Sequence, residues 1–180
     1  MSAIKGRREV IMAGSGGQGL VLSGVILAEA AIRDCKNVVQ TVSYGIATRG
    51  GFSMAEVIID EAEIVFQQVQ KADVVLAMTE EAMQKYAPLA DDGSMVVYDT
   101  TFVSKREGAH VVGFPFTDEA ERLGNAGMAN IVALGCLAKL ADLVMTDSLK
   151  AVIEARFSGS ALGANLKALD RGAQLAAGKE

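Results

Sequence analysis

The segment Gly14-Ser15-Gly16-Gly17-Gln18-Gly19 places glycines at the first, third and sixth positions of a turn. It follows the apolar run Val10-Ile11-Met12-Ala13 and precedes a stretch with helical character. A turn of this kind lets backbone amides at a helix N-terminus hold a phosphate or carboxylate. It serves equally well as a plain strand-to-helix bend, since a residue without Cβ tolerates positive φ and close packing. Contact with another chain is the third use. Gln18 offers a donor and an acceptor at the mouth of the loop, and Ser15 is a candidate helix cap. A nicotinamide site would add an acidic residue near the end of the second strand, where the chain reads Val38-Val39-Gln40-Thr41-Val42, with Asp34 still in the preceding turn. A nucleotide triphosphate loop would need Lys where Leu20 stands.

A second segment, Ser43-Tyr44-Gly45-Ile46-Ala47-Thr48-Arg49-Gly50-Gly51-Phe52-Ser53, joins a phenol, a guanidinium and three glycines. Arg49 can grip a carboxylate or phosphate through two parallel N–H bonds, or it is an ordinary surface arginine in a turn. The remaining polar residues promise less. Asp99 and Thr100 end a strand, where turn formation competes with ligand contact. Asn125 and Asn130 flank Gly127 at a helix start and suit capping or satisfaction of buried backbone, with partner contact second. His110 has no nucleophile beside it and reads as structural. Cys35 and Cys136 stand far apart with no CxxC, so the chain cannot ligate an iron-sulfur cluster alone, and no metal site is expected.

Positioning these loops requires an open sheet. Strands are expected at 10–13, 37–42, 52–59, 72–78, 94–99 and 109–113, with helices after Gly19 and Thr79 and then at 117–123, 130–142, 148–157 and 165–177. Strand–helix alternation of this kind specifies an α/β fold, with an open, mainly parallel or mixed sheet flanked by helices in the Rossmann manner. If the sheet is open, both glycine-rich loops belong at one carboxyl edge, where such folds bind ligands. Met128–Leu140 is apolar on nearly every side, which calls for a layer on each side of it or a partner chain.

The chain has 180 residues, 51% hydrophobic and 22% charged, with a formal charge of -5. That length suits a single domain over 1–180. The acidic balance argues against nucleic acid as partner, and no apolar stretch has the length of a signal peptide or membrane span, so a cytoplasmic protein is expected.

Taken together, Gly14-Ser-Gly-Gly-Gln-Gly19 and Tyr44-Gly-Ile-Ala-Thr-Arg-Gly-Gly51 resemble the gamma subunit, or gamma domain, of 2-oxoacid:ferredoxin oxidoreductases. The resemblance continues through Ala72-Asp73-Val74-Val75-Leu76-Ala77, Pro115-Phe116-Thr117, Leu123-Gly124-Asn125, Ala129-Asn130-Ile131-Val132-Ala133-Leu134-Gly135 and Asn165-Leu166-Lys167-Ala168, and so implies one gamma-type domain with its core at about 8–172. It implies a hetero-oligomer that decarboxylates a 2-oxoacid on thiamine diphosphate, passes electrons through iron-sulfur clusters to ferredoxin, and transfers the acyl group to coenzyme A. Alpha and beta subunits would carry the thiamine site, and a small ferredoxin-like subunit is a further partner. The gamma component holds none of these cofactors alone, and no catalytic residue is assigned in it. The resemblance puts a cofactor-binding role on Gly14, Gly16, Gly17, Gln18 and Gly19. It puts an interface or active-site border on Tyr44, Arg49, Gly50, Gly51 and Asn130. Ala47-Thr48 stand where many members carry an acidic or other polar residue. Pyruvate, 2-oxoglutarate and branched-chain members share this component, and a separate small chain leans toward 2-oxoglutarate. The competing class is a nucleotide- or acyl-coenzyme-A-binding sensor without turnover, and an independent dehydrogenase comes third.

Overall fold

The computed structural model describes residues 6–45 and 51–178, with the side chains of residues 91 and 92 outside the description. The strands are β1 (Arg8–Ser15), β2 (Asn37–Tyr44), β3 (Phe52–Asp60), β4 (Ala72–Ala77), β5 (Ala90–Asp99) and β6 (Val111–Phe114). They form one mixed sheet in the order β2-β3-β1-β4-β5-β6. β1, β4, β5 and β6 run parallel, whereas β3 is antiparallel to both β1 and β2. The central strand β1 is apolar without interruption because both its faces are covered: Val10, Ile11, Met12 and Ala13 have no exposed surface.

The helices are α1 (Leu20–Arg33), α2 (Glu80–Tyr86), α3 (Phe116–Arg122), α4 (Ala129–Ala141), α5 (Thr146–Arg156) and α6 (Gly159–Ala177). The two faces of the sheet are covered unequally. Val10, Met12, Val57, Ile59 and Leu76 point into a large core shared with α1, α3, α4, α5 and α6. Ile11, Ala13, Val75 and Tyr98 point into a smaller one closed by Ala82, Met83 and Tyr86 of α2 and by Val103. α4 is apolar all round because it is a middle layer, with the sheet core on one side and α6 on the other. Ile131, Val132, Leu134 and Leu137 are each at most 1% exposed, and each such burial contributes about 1.5–3 kcal/mol.

Polar contacts tie the helical layer down. Thr79 caps α2, its hydroxyl accepting from Ala82 N at 3.3 Å. Asp34 works at long range. Its carboxylate accepts from Met145 N at 2.7 Å and from the Ser148 hydroxyl, capping α5, whose own N-cap Met145 has no side chain to do so. Asp34→Ala removes that cap and is expected to destabilise the fold by about 1–2 kcal/mol, read as a lower urea midpoint. Asp99, with no exposed surface, accepts from Thr101 N at 3.0 Å and from Thr117 N and Oγ1 at 3.2 and 2.5 Å. It therefore forms a turn and holds the start of α3.

Glu119 on α3 is 5% exposed and accepts from Arg171 Nε of α6 at 2.6 Å and from Arg122. The Arg171 hydrogen bond, helped by both positive charges, holds its carboxyl below the usual carboxylate range against the cost of burial. A carboxyl whose folded pKa is depressed binds its proton more weakly in the native state. Its contribution is therefore complete above the unfolded value of 4.5 and is lost as pH falls through the folded value. Urea titrations of wild type and Glu119→Gln should differ in midpoint at neutral pH and converge as the pH drops below 4.5.

Candidate functional site

The carboxyl ends of β1, β4, β5 and β6 share one edge, and the antiparallel β2–β3 hairpin turns at that same edge. Ser15 pairs with Phe52, and Gly14 with Ser53, which in turn pairs with Tyr44. The two glycine-rich segments therefore meet, as the open-sheet reading expects. Gly16 N donates to Gly51 O at 2.6 Å, a direct joint between them. Arg49 and Gly50, together with Ile46, Ala47 and Thr48, lie outside the described residues.

The first loop is held from inside. Gln18 Oε1 accepts from Ser15 N at 2.7 Å, and Gln18 Nε2 donates to Met78 O at 3.3 Å at the end of β4. Its amide thus stiffens the loop and ties it to the neighbouring strand. Gly14 is required by that arrangement, since a Cβ there would lie 2.3 Å from Gln18 Oε1 and 3.0 Å from Met78 Cβ. Ser15 does not cap α1. It closes β1, and the N-cap is Gly19, in the left-handed region at φ 72°, with no side-chain bond to the first turn. The first turn of α1 therefore opens toward the loop without a side-chain cap.

Asn130 supplies the third support. It is 2% exposed and donates from Nδ2 to Gly19 O at 3.0 Å, so it satisfies buried backbone at the start of α1. It is no helix cap: Met128 stands at that position for α4, and Asn125 caps the preceding turn by accepting from Gly127 N at 2.9 Å. Ser23, which sequence reading passed over, lies within 3.4 Å of both Gly19 O and Asn130 O through its hydroxyl. Gly16 and Gly17 remain exposed, and Gly17 at φ 94° has open space where a Cβ would stand.

The rim carries a feature with no sequence signal beyond its composition. Phe52 stacks on Tyr86 at 5.4 Å, and Lys85 Nζ stands 4.6 Å from the Phe52 ring centre. Tyr44, at 66% exposure, ends β2 on the other side of the hairpin. His110 is exposed, and its carbonyl accepts from Val96 N at 2.9 Å. Cys35 is exposed after α1, whereas Cys136 is buried in α4. Among the described residues no three His, Cys, Asp or Glu side chains gather as a metal site, and no helix is long and apolar enough to cross a membrane. Asp34 caps α5, so it supplies no ribose clamp at the glycine loop. The edge offers exposed glycine backbone at Gly16 and Gly17, held from within by Gln18 and Asn130.

Residues 9–175 match the family model described as pyruvate ferredoxin/flavodoxin oxidoreductase. A 2-oxoglutarate synthase subunit KorC from Methanocaldococcus jannaschii is 37% identical over 180 residues, 96% of each chain. One from Archaeoglobus fulgidus is 40% identical over 146 residues, 81% of this chain and 76% of the relative. Among solved structures, the gamma subunit of a keto/oxoacid ferredoxin oxidoreductase from Geobacter sulfurreducens superposes with a TM-score of 0.85 at 34% identity, covering 96% of this chain and 98% of that one. A 2-oxoglutarate:ferredoxin oxidoreductase from Magnetococcus marinus, bound to 2-oxoglutarate, coenzyme A and succinyl-CoA, superposes with a TM-score of 0.87 at 26% identity. There the match covers 97% of this chain but 32% of the longer one, so the same unit occurs both as a separate chain and as part of a larger one. Sheet, glycine edge and these likenesses agree, and the chain belongs to the pyruvate ferredoxin/flavodoxin oxidoreductase family.

Proposed function

We propose that this chain is the gamma component of a complex that oxidatively decarboxylates a 2-oxoacid, 2-oxoglutarate being the favoured substrate, to an acyl-coenzyme A with reduction of ferredoxin. The observation that carries this reading is the joint from Gly16 N to Gly51 O, which merges two loops into one exposed backbone surface. Coenzyme A is the group whose chemistry suits that surface: its phosphates and amides can approach glycine backbone closely, and Lys85 adds a positive charge beside Phe52. When bound there, coenzyme A would supply the thiol that accepts the acyl group. The role of Gly14, Gly16, Gly17, Gln18 and Gly19 is then to hold the binding edge. Tyr44, Arg49, Gly50 and Gly51 border it and meet the partner, whereas Asn130, expected among them, is buried and supports the border from beneath through Gly19 O.

The chain's two separated cysteines cannot furnish the thiolates of an iron-sulfur cluster. Clusters and thiamine diphosphate are accordingly assigned to alpha, beta and ferredoxin-like partners. KorC relatives at 40% and 37% identity, against 33% for a pyruvate synthase subunit PorC, support 2-oxoglutarate over pyruvate. The test is Arg49→Ala in the assembled complex. Losing one charge-assisted contact is expected to lower 2-oxoacid turnover about tenfold while the melting temperature of the subunit stays unchanged. Equal turnover in wild-type and variant complexes would remove Arg49 from the border. Calorimetry of the lone chain with coenzyme A distinguishes the sensor reading, which requires tight binding without any partner.

A further inference from the structure

The open edge of the sheet at β2 is built differently from most exposed edges. Its sequence, Asn37-Val-Val-Gln-Thr-Val-Ser-Tyr44, has no charge, proline or glycine, and it pairs with β3 without a bulge over all 8 residues. Natural proteins usually blunt such an edge with charge, proline or a bulge. Gly45 N donates to Phe52 O at 2.7 Å, which fixes the alternation of the ladder. Residues 39, 41 and 43 therefore bond to β3, and Val38, Gln40, Val42 and Tyr44 turn their N–H and C=O groups outward.

α1 adds an apolar flank on the same side. Gln40 Nε2 donates to Val21 O at 3.2 Å, so this side of the helix overhangs β2. Val21, Val25 and Ile32 lie along it at helical spacing, the first two half-buried, with Ala28 buried between Val25 and Ile32. Ile32 is 59% exposed and Val42 on the strand below is 46% exposed.

We infer that β2 pairs antiparallel with β2 of a second copy of this chain, joining the two sheets across a two-fold axis through Gln40. The edge is self-complementary in that register. Residues directly opposite share a face, so Val38 meets Val42, Val39 meets Thr41 and Gln40 meets Gln40, with no like charges opposed. Strands about 4.8 Å apart place the two α1 helices, each above β2 and β3, about 10 Å from one another across the axis. That is close to the 8–10 Å at which helices pack, so the two apolar stripes cover each other. A chain with a strongly charged edge would not fit itself in this way.

The test uses the full chain. Sedimentation across a concentration series should show a dimer, and Val42→Lys and Ile32→Glu should each weaken it at least tenfold. Residue-resolved amide exchange carries an internal control. Val39, Thr41 and Ser43 should be protected in monomer and dimer alike, whereas Val38, Gln40 and Val42 should gain protection only as the dimer forms. A monomer at every concentration overturns the inference. So does a dimer in which Val38, Gln40 and Val42 still exchange freely, or protection of those amides that arises only when another subunit is added.

Discussion

Gly172→Ala should lower the stability of this protein by about 3 kcal/mol, with a fall of about 10 °C in melting temperature. Gly172 on α6 faces α4 so closely that a Cβ would lie 1.8 Å from Val132 O and 2.8 Å from Cys136 N. Gly135 on α4 is its counterpart, with a Cβ 2.0 Å from Leu169 O. The obstacles are backbone atoms in the middle of helices, so no rotamer change relieves the overlap and the helices must separate. Alanine gains about 1 kcal/mol over glycine in intrinsic helix preference, and the lost packing outweighs it. Gly163 in the same helix is the control, for nothing lies within 4 Å of a Cβ there. Gly163→Ala should raise stability by roughly 0.5–1 kcal/mol. Chemical denaturation of the two variants, moving in opposite directions, tests the contact; similar shifts would mean that α4 and α6 do not touch at these glycines.

The second large effect belongs to Gly19→Ala, and it should appear in activity as well as in stability. At φ 72° an alanine costs about 1 kcal/mol. Its Cβ would also lie 2.6 Å from Asn130 Nδ2, driving that amide off Gly19 O, which costs about 0.5–1.5 kcal/mol more. The loop then shifts against α4 and its exposed glycine backbone loses its position. Turnover of the assembled complex is expected to fall at least tenfold. Gly17→Ala pays a similar backbone cost at φ 94° with open space around it, so its effect on turnover should be clearly smaller. Equal activity in the Gly19 variant would contradict the role given to this loop.

Much of the architecture was legible because continuous apolar runs bounded by glycine mark buried parallel strands, as at Val10-Ile11-Met12-Ala13. The meeting of the two loops was also legible, since an open sheet gathers its carboxyl ends at one edge. Direction was less so: alternation along β2 and β3 says nothing of parallel or antiparallel pairing, and only the short connection between them permits a hairpin. The start of α6 was missed by six residues. Gly159-Ser160-Ala161-Leu162-Gly163-Ala164 has weak helical preference, and packing of Leu162 and Ala164 against the core overrides it. Similarly, β5 begins at Ala90 ahead of the apolar run that signals it.

Around the two loops, residue types drew attention to the glycines but said nothing of how they are held. Asn130 reaches Gly19 across 111 positions of sequence, and Asp34 reaches Met145 across 111. Such pairings follow from packing α1 against α4 and α5, which no local pattern encodes. Gln18 looked outward in sequence, yet its amide is spent on Ser15 and Met78. What faces solvent is backbone, and backbone leaves no residue-type signature beyond glycine itself.

We propose that the chain contributes a binding edge and leaves the chemistry to its partner subunits, a division tested most directly by purifying the chain alone and together with those partners. Each preparation is then assayed for 2-oxoacid- and coenzyme-A-dependent reduction of a low-potential acceptor. The expected result is turnover in the assembled complex and none from the isolated chain. Full turnover by the isolated chain would contradict the division of labour drawn from its glycine edge and its two separated cysteines.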